Sequence, residues 1–379
     1  MKILHTSDLH IGKRVNEYSM LEEQEFILKQ IINIAKEEQP EAIILAGDIY
    51  DKSIPSAEAV SLFDEFLVNL VKLNKAIFII SGNHDSAERI SFASRIMENS
   101  KVYLSPVYDG NITPIVLNDG NTEVAFYMIP FIKPITVQHF AEEGSELKSY
   151  NDAMKYVVDQ LEINKSRRNV LITHQFITGA KRTESEDTIV GGLDNIDASI
   201  FNDFDYVALG HLHCPQHCGK KTIRYSGTPL KYSFSEVNDN KSITVVEING
   251  HEEPIIIQKP LTPLHEWFDL KGTYEELTSK NFYDNKNYQE SFVRITLVDE
   301  EDISDGMRKL KTIYHRLMEL RYDNKRTRAG ITLIDKPMNV NTIHPDEIFC
   351  ELFEKQNAQP ISEGQKDFLN NIIETIFNK

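Results

Sequence analysis

With 379 residues, 41% of them apolar, the chain is long enough for a large core and one or two smaller modules. A net charge of −17 excludes a generic basic nucleic-acid binder, and with neither a run of about 18 apolar residues nor a signal-peptide pattern, a cytoplasmic protein without membrane segments is expected. Three cysteines, Cys214, Cys218 and Cys350, cannot build a disulfide framework and suit a reducing compartment.

In chain order, the opening "MKILHTSDLH" reads as an apolar strand ending in Asp8 and His10. An amphipathic helix over 20–38 follows, then "EAIILAGDIYD", a strand ending in Asp48 and Asp51. A second helix over 56–73 opens at Ser56 and carries Val60, Phe63, Leu67, Leu70 and Val71. Next comes "AIFIISGNHD", a buried β-branched strand ending in Asn83, His84 and Asp85, and a helical segment near 86–98. The stretch 113–129 turns at Asn118-Asp119-Gly120-Asn121 and reads as a hairpin. "NVLITHQ" ends in His174, and the aperiodic loop 179–192 behind it suits a solvated and a substrate-facing role equally. "DYVALGHLH" ends in His211 and His213, and 242–258 forms a second hairpin turning at Asn249-Gly250. Strand-helix alternation with added hairpins means an α/β fold on mixed sheets.

A boundary falls where three prolines lie between 254 and 263, which sets one domain at 1–259. From 260 to 335 a small α/β module is expected, in the order strand, helix, strand, helix, strand. Its second helix is read with Met307, Leu310, Tyr314 and Leu317 on one face and Arg308, Lys309, Lys311 and Arg316 largely off it. Between Arg308 and Arg328 eight basic residues stand against Glu319 and Asp323, a local charge of +6 that makes this segment the candidate nucleic-acid surface. The tail, 336–379, carries two helices, one opened by Pro345 ahead of Ile348, Phe349, Leu352 and Phe353. The other is opened by the capping box Ser362-Glu363-Gly364-Gln365 ahead of Phe368, Leu369, Ile372, Ile373, Ile376 and Phe377. That stripe fits packing on its own chain and docking on a partner helix equally well.

A single Asp or His after a strand is an ordinary cap, but five apolar strands each delivering Asp, Asn or His at one end describe a cluster. Asp8, His10, Asp48, Asn83, His174, His211 and His213 mix imidazole with carboxylate and amide oxygen, a donor set that borderline divalent metals take. Seven ligands exceed one tetrahedral ion and suit two ions of higher coordination bridged by a carboxylate, the arrangement that clamps a phosphoryl group. His84 adjoins the ligand Asn83 but points another way, which makes it the candidate to face substrate, stabilise transition-state charge or protonate the departing oxygen. Asp85 is expected to orient its imidazole. His5, inside the first strand, is read as a satisfied, partly buried residue rather than a ligand. Cys214, His217 and Cys218 lack the fourth ligand of a structural zinc site. The segment 225–236 is expected to support the site from behind.

"DLH" at 8–10, "GDIYD" at 47–51, "GNHD" at 82–85, "TH" at 173–174 and "GHLH" at 210–213 match, in order, the five motifs of the calcineurin-like metallophosphoesterases, which the chain resembles. "KILHTSDLHIG", "SGNHDSAERI" and "YSGTPLKYSFSE" further resemble the SbcD family of nuclease subunits, akin to the double-strand-break repair nucleases. The resemblance implies a metallophosphoesterase core of mixed β-sheets flanked by helices, a small α/β capping domain and a C-terminal helical tail. It puts Asp8, His10, Asp48 and His213 around one ion and Asp48, Asn83, His174 and His211 around the other, with Asp48 bridging and His84 a catalytic non-ligand. It implies two Mn2+ ions, exonuclease action on duplex DNA ends and endonuclease action on single strands or hairpins. A homodimer is implied, with the helices near 56–73 and 86–98 as candidate contacts, and an SbcC-type coiled-coil ATPase as partner of the tail. Archaeal members carry a histidine three residues past the bridging aspartate, where this chain has Asp51. Two alternatives stay open: a phosphatase or small-molecule phosphodiesterase of the same superfamily, and a scaffold that binds DNA ends without catalysis.

Overall fold

The computed structural model describes residues 1–186, 195–284, 286–328, 349, 350, 352–354, 357 and 359–377. The chain divides into two compact units, Met1–His265 and Glu266–Lys379.

The first unit holds two six-stranded sheets. In one, the parallel run β1 (Lys2–Thr6), β4 (Ala42–Ala46), β5 (Ala76–Ile80) and β6 (Val102–Leu104) is extended past β1 by the antiparallel β13 (Ser242–Glu247) and β14 (Ile255–Pro260). Two short strands, β2 (Arg14–Val15) and β3 (Tyr18–Ser19), form a hairpin between β1 and the helix α1 (Leu21–Glu38). In the other sheet, β8 (Glu123–Ile129), β9 (Arg168–His174), β10 (Tyr206–Gly210) and β12 (Lys220–Tyr225) run parallel, flanked by the antiparallel β7 (Ile115–Asn118) and β11 (Gln216–Cys218). Both expected hairpins are present, as β7–β8 and β13–β14.

Alternating residues of both sheets, among them Ile44, Phe78, Phe126, Val170 and Ala208, meet in one buried layer. Phe78 and Phe126 stack there at 4.4 Å, a pairing worth about 0.5–1.5 kcal/mol beyond the area it buries. Every residue of β4, β5 and β10 is buried, which is why these strands read as unbroken apolar runs rather than alternating ones, and β9 is buried throughout as well although it opens with Arg168 and Asn169. The helix α2 (Ala57–Val71) starts where Ser56 caps it, its hydroxyl accepting from the Ala59 N–H at 3.3 Å. It buries Ala59, Phe63, Phe66 and Leu70, so Val60, expected on the packed face, is 44% exposed instead. The segment near 86–98 is two single turns, Ala87–Ile90 and Ser94–Met97, because Ala93 between them sits at φ 60° and interrupts the helix.

The buried imidazole of His5 meets the Tyr206 hydroxyl at 2.8 Å. Burial, helped by the charge of Arg224, outweighs a bond to the Leu209 backbone and pushes its pKa down to about 3. The unfolded chain then binds more protons than the native one below pH ~6.5, so His5 costs stability as the pH falls. We expect a loss of about 2 kcal/mol from this residue between pH 7 and pH 5, read as a smaller shift of the urea midpoint in His5→Gln than in the parent chain.

The second unit is a three-stranded parallel sheet of β15 (Trp267–Gly272), β16 (Phe292–Leu297) and β17 (Arg316–Tyr322), joined by short helices in the expected order. Its basic helix spans only Gly306–Lys311. Leu317 belongs to β17 and Tyr314 to the turn before it, both fully buried against Leu310, so an apolar spacing read as one helical face is shared between three elements. The tail helix Glu363–Phe377 has its expected capping box: Ser362 N–H donates to Gln365 Oε1 at 3.0 Å and Gln365 N–H to Ser362 Oγ at 3.4 Å. The start of the helix expected at Pro345, residues 329–335 of the small module, and 187–192 of the loop behind His174 lie outside the described residues. Among the described residues no helix is long and apolar enough to cross a membrane.

Candidate metal centre

Because β1, β4 and β5 are parallel neighbours, as are β9 and β10, their polar ends emerge together. The first two loops are bonded backbone to backbone, Asp8 N–H to Gly47 O at 3.0 Å, His10 N–H to Asp48 O at 2.9 Å and Ile11 N–H to Ile49 O at 2.9 Å. Four candidate ligands take positive φ, a region non-glycine residues seldom occupy: Asp8 at 54°, His10 at 45°, Asp48 at 48° and His211 at 107°. Such strain persists only where neighbouring bonds enforce it, and at a rim of donor atoms it aims side chains inward. Glycines before Asp48, Asn83 and His211 have a steric reason. A Cβ at Gly210 would lie 1.9 Å from the Ala46 carbonyl oxygen, and one at Gly82 would lie 2.1 Å from Asp48 Oδ1.

The seven side chains converge. His174 Nε2 lies 3.3 Å from Asp48 Oδ2, 3.0 Å from Asn83 Oδ1 and 4.0 Å from Asp8 Oδ1. Asn83 Oδ1 is also 2.9 Å from His211 Nδ1, and His211 donates its backbone N–H to Asp8 Oδ1 at 3.0 Å. On the other side His10 Nε2 faces His213 Nε2 at 3.1 Å and Asp48 Oδ2 at 3.7 Å. Asp8, His10 and His213 form one compact group of donors and Asp8, Asp48 and His174 another, all of them buried, while His10 and Asp48 form a third with the half-buried His84.

This arrangement fits a divalent cation. His174 Nδ1 donates to the Ala46 carbonyl at 2.9 Å, so in the neutral ring the Nε2 lone pair points into a nest of oxygens that can only accept. Burial works to lower the His174 pKa, yet the charge and hydrogen bond of Asp48, with Asp8 behind them, hold it up to about 9. The pocket thus favours positive charge strongly. Burial and repulsion from Asp48 raise Asp8, whereas Asp48, despite its own burial, is held below the usual carboxylate range by His174. Burial pushes His211 down to about 3 and His10 well below its ordinary value, leaving both as the neutral imidazoles a metal takes.

His84 stands at the edge of this cluster, its ring edge-on to His10 with centroids 4.8 Å apart. Its backbone N–H donates to Asp48 Oδ1 at 2.8 Å, and its Nδ1 faces the Asp51 carbonyl at 3.0 Å. The expectation that Asp85 orients this imidazole is corrected. Asp85 Oδ2 accepts from Ile49 N–H at 3.0 Å and Gly82 N–H at 2.9 Å, and Oδ1 from Tyr50 N–H at 2.9 Å. One residue past His84 in a tight loop, the carboxylate turns toward these inward N–H groups and ties the β4 loop to the β5 loop. Asp51 binds Lys13 Nζ at 2.7 Å and lies 3.8 Å from His10 Nδ1. Of the basic candidates, Arg308, Lys309 and Lys311 share the short helix, while Arg316 opens β17. Arg308 pairs with Asp305 at 2.9 Å and Arg316 with Glu290 at 3.0 Å.

Five further residues reach His213, among them Thr228, whose backbone N–H donates to its carbonyl at 3.1 Å. Ser185 Oγ lies 2.6 Å from its Nδ1, Glu186 accepts its backbone N–H at 2.6 Å, Lys241 donates to its carbonyl at 2.9 Å, and Glu236 Oε1 is 3.8 Å from its ring. Of these, Glu236 and Thr228 fall in the stretch 225–236 expected to back the site. Ser185 and Glu186 lie in a loop without periodicity, and Lys241 follows no pattern at all.

Residues 1–215 match the family described as calcineurin-like phosphoesterase, and residues 260–357 a second family, described as type 5 capsule protein repressor C-terminal domain. A Staphylococcus epidermidis protein, named as the D component of nuclease SbcCD, is 33% identical over 389 aligned positions covering 100% of both chains. Its namesake from Staphylococcus saprophyticus is 33% identical over 84% of each chain. Among solved structures, a dimetal phosphatase from Danio rerio aligns over 68% of this chain and 98% of that one, at 11% identity and a TM-score of 0.41. With the phosphoesterase match spanning more than half the chain and a full-length relative at this identity, the chain belongs to the calcineurin-like phosphoesterases and, among them, to the SbcD family of nuclease subunits.

Proposed function

We propose that the chain is a metal-dependent nuclease that hydrolyses DNA phosphodiesters at two divalent ions, manganese by preference. It acts as an exonuclease on duplex ends and an endonuclease on single strands and hairpins, as a homodimer joined to an SbcC-type coiled-coil ATPase in the cytoplasm. The observation that carries this reading is the convergence of seven metal-type donors, in the family's motif order, on one rim with His84 beside them.

Asp8, His10, Asp48 and His213 would hold one ion and Asp48, Asn83, His174 and His211 the other, Asp48 serving both. When bound, such ions neutralise phosphoryl charge and activate a water for in-line attack. His84 exchanges a proton with the departing oxygen: the Asp51 carbonyl can only accept, which keeps a proton on Nδ1 and assigns the exchange to Nε2. A cleft of about 480 Å³ lined in part by Arg14 and Lys52, with Asp51 and Glu58 opposing them, offers room and two cationic contacts for a phosphodiester strand. Arg308 and Arg316 sit in exposed ion pairs, which are weak enough to be exchanged for phosphate. Exposed Val60, Val68, Phe92 and Ile96, with Phe92 80% accessible, supply apolar surface for a second copy. Phe368, 68% exposed on the tail helix, supports docking of the ATPase there.

The test is cleavage of end-labelled duplex and hairpin DNA by purified protein in manganese, magnesium and chelator, with an aryl phosphodiester alongside. Manganese-dependent cutting abolished by chelator is the expected result. Aryl ester hydrolysis without DNA cutting, even with the ATPase partner and ATP present, would replace the nuclease reading with a small-substrate one.

A further inference from the structure

Behind His213 lies a buried polar chain that none of the metal-ligating residues explains. The Ser185 hydroxyl donates to Glu236 Oε1 at 2.6 Å, and a carboxylate can only accept. A hydroxyl has one proton. At 2.6 Å from His213 Nδ1 the Ser185 oxygen must therefore accept, which places a proton on Nδ1. Thr183 Oγ1, 2.9 Å from the same oxygen, fills the remaining acceptor position as a donor.

Glu236 is fully buried, and its other oxygen takes Lys241 Nζ at 2.6 Å. Lys241, itself buried, spends its remaining two protons on the His213 carbonyl at 2.9 Å and on Thr228 Oγ1 at 2.8 Å. All three ammonium donors are thus satisfied, and one of them holds the His213 main chain. A buried charge pair is costly to place and brings little stability of its own, so its value here lies in where it puts the imidazole. The loop carrying Ser185 is fixed as well: Lys181 N–H donates to Gln216 Oε1, and Gln216 Nε2 to the Lys181 carbonyl, both at 2.8 Å.

We propose that Ser185, backed by Glu236 and Lys241, is the positioning residue that holds His213 in the tautomer with Nδ1 protonated, so that Nε2 presents its lone pair to the metal centre. A carboxylate acting on a metal-bound histidine is usually in direct contact with it; here a serine hydroxyl stands between them. The part of this proposal that concerns metal affinity rests on the metal reading above, whereas the tautomer does not.

Two measurements on Ser185→Ala, Ser185→Thr and the parent chain test it. In metal-free protein with 15N-labelled histidine, at about pH 8 where a free imidazole is neutral, long-range proton–nitrogen correlations report the tautomer, with His213 assigned by its loss in His213→Gln. The parent is expected to carry its proton on Nδ1, Ser185→Ala to lose that preference and Ser185→Thr to restore it. Titration of manganese ions into the same proteins should show two sites in the parent and one of them weakened about 10–100-fold in Ser185→Ala, with the other unchanged. Glu236→Gln should weaken the same site, its melting temperature separating that effect from unfolding. A parent His213 protonated on Nε2 would overturn the proposal, as would parent-like tautomer and affinities in Ser185→Ala. If the parent shows the Nδ1 tautomer but takes up no metal, the metal reading fails while the positioning of His213 stands.

Discussion

Asp48→Ala is expected to strip both metal ions from the protein together and to lower DNA cleavage by about three orders of magnitude or more. The reason is its central place. Its Oδ2 lies 3.3 Å from His174 on one side and 3.7 Å from His10 on the other, and Oδ1 accepts the His84 backbone N–H. Neither neighbouring carboxylate is in a position to replace it: Asp8 already takes the His211 backbone N–H, and Asp85 is occupied by three backbone donors. Metal content by plasma emission spectrometry and single-turnover cleavage read the two effects separately. A variant that keeps one ion at full affinity would show that the two groups of donors do not depend on a shared carboxylate.

His84→Ala should give the opposite signature. The side chain shares a group of donors with His10 and Asp48 but stands apart from those around His174 and His213, with its Nδ1 taken by the Asp51 carbonyl, so the metal content is expected to persist while turnover falls about 10²–10⁴-fold, the range typical of a lost general acid. KM should change little, since the group acts on the departing oxygen and not on the substrate's resting charge. Equal loss of metal and turnover would make His84 a structural member of the cluster. A kcat within tenfold of the parent would remove it from the chemistry.

Why the donor set could be read from the sequence is a matter of local physics. Strands such as β4 and β5 are buried on both faces, so their apolar runs are continuous and the first polar residues after them mark the rim without ambiguity. Parallel neighbours then bring those ends together. Residues that act through a neighbour leave no such mark. Asp85 sits next to His84 in sequence, and adjacency suggested that it orients the imidazole; the loop instead turns it onto three backbone N–H groups. Lys241 precedes a strand that ends nowhere near a motif, and only the fold shows its ammonium against the His213 carbonyl. In the second unit, Leu310, Tyr314 and Leu317 have helical spacing but reach one core from a helix, a turn and a strand, an ambiguity that short apolar patterns always carry. Ala93 at φ 60° divides the segment near 86–98 without any glycine or proline to announce the break.

These seven side chains are expected to form a single two-ion centre around Asp48. Anomalous scattering at the manganese edge from crystals grown with manganese tests it most directly. Two peaks about 3.5–4 Å apart on either side of the Asp48 carboxylate are the expected result, with His213 Nε2 and His174 Nε2 each directed at a different one. A single peak, or two ions with no carboxylate between them, would contradict it.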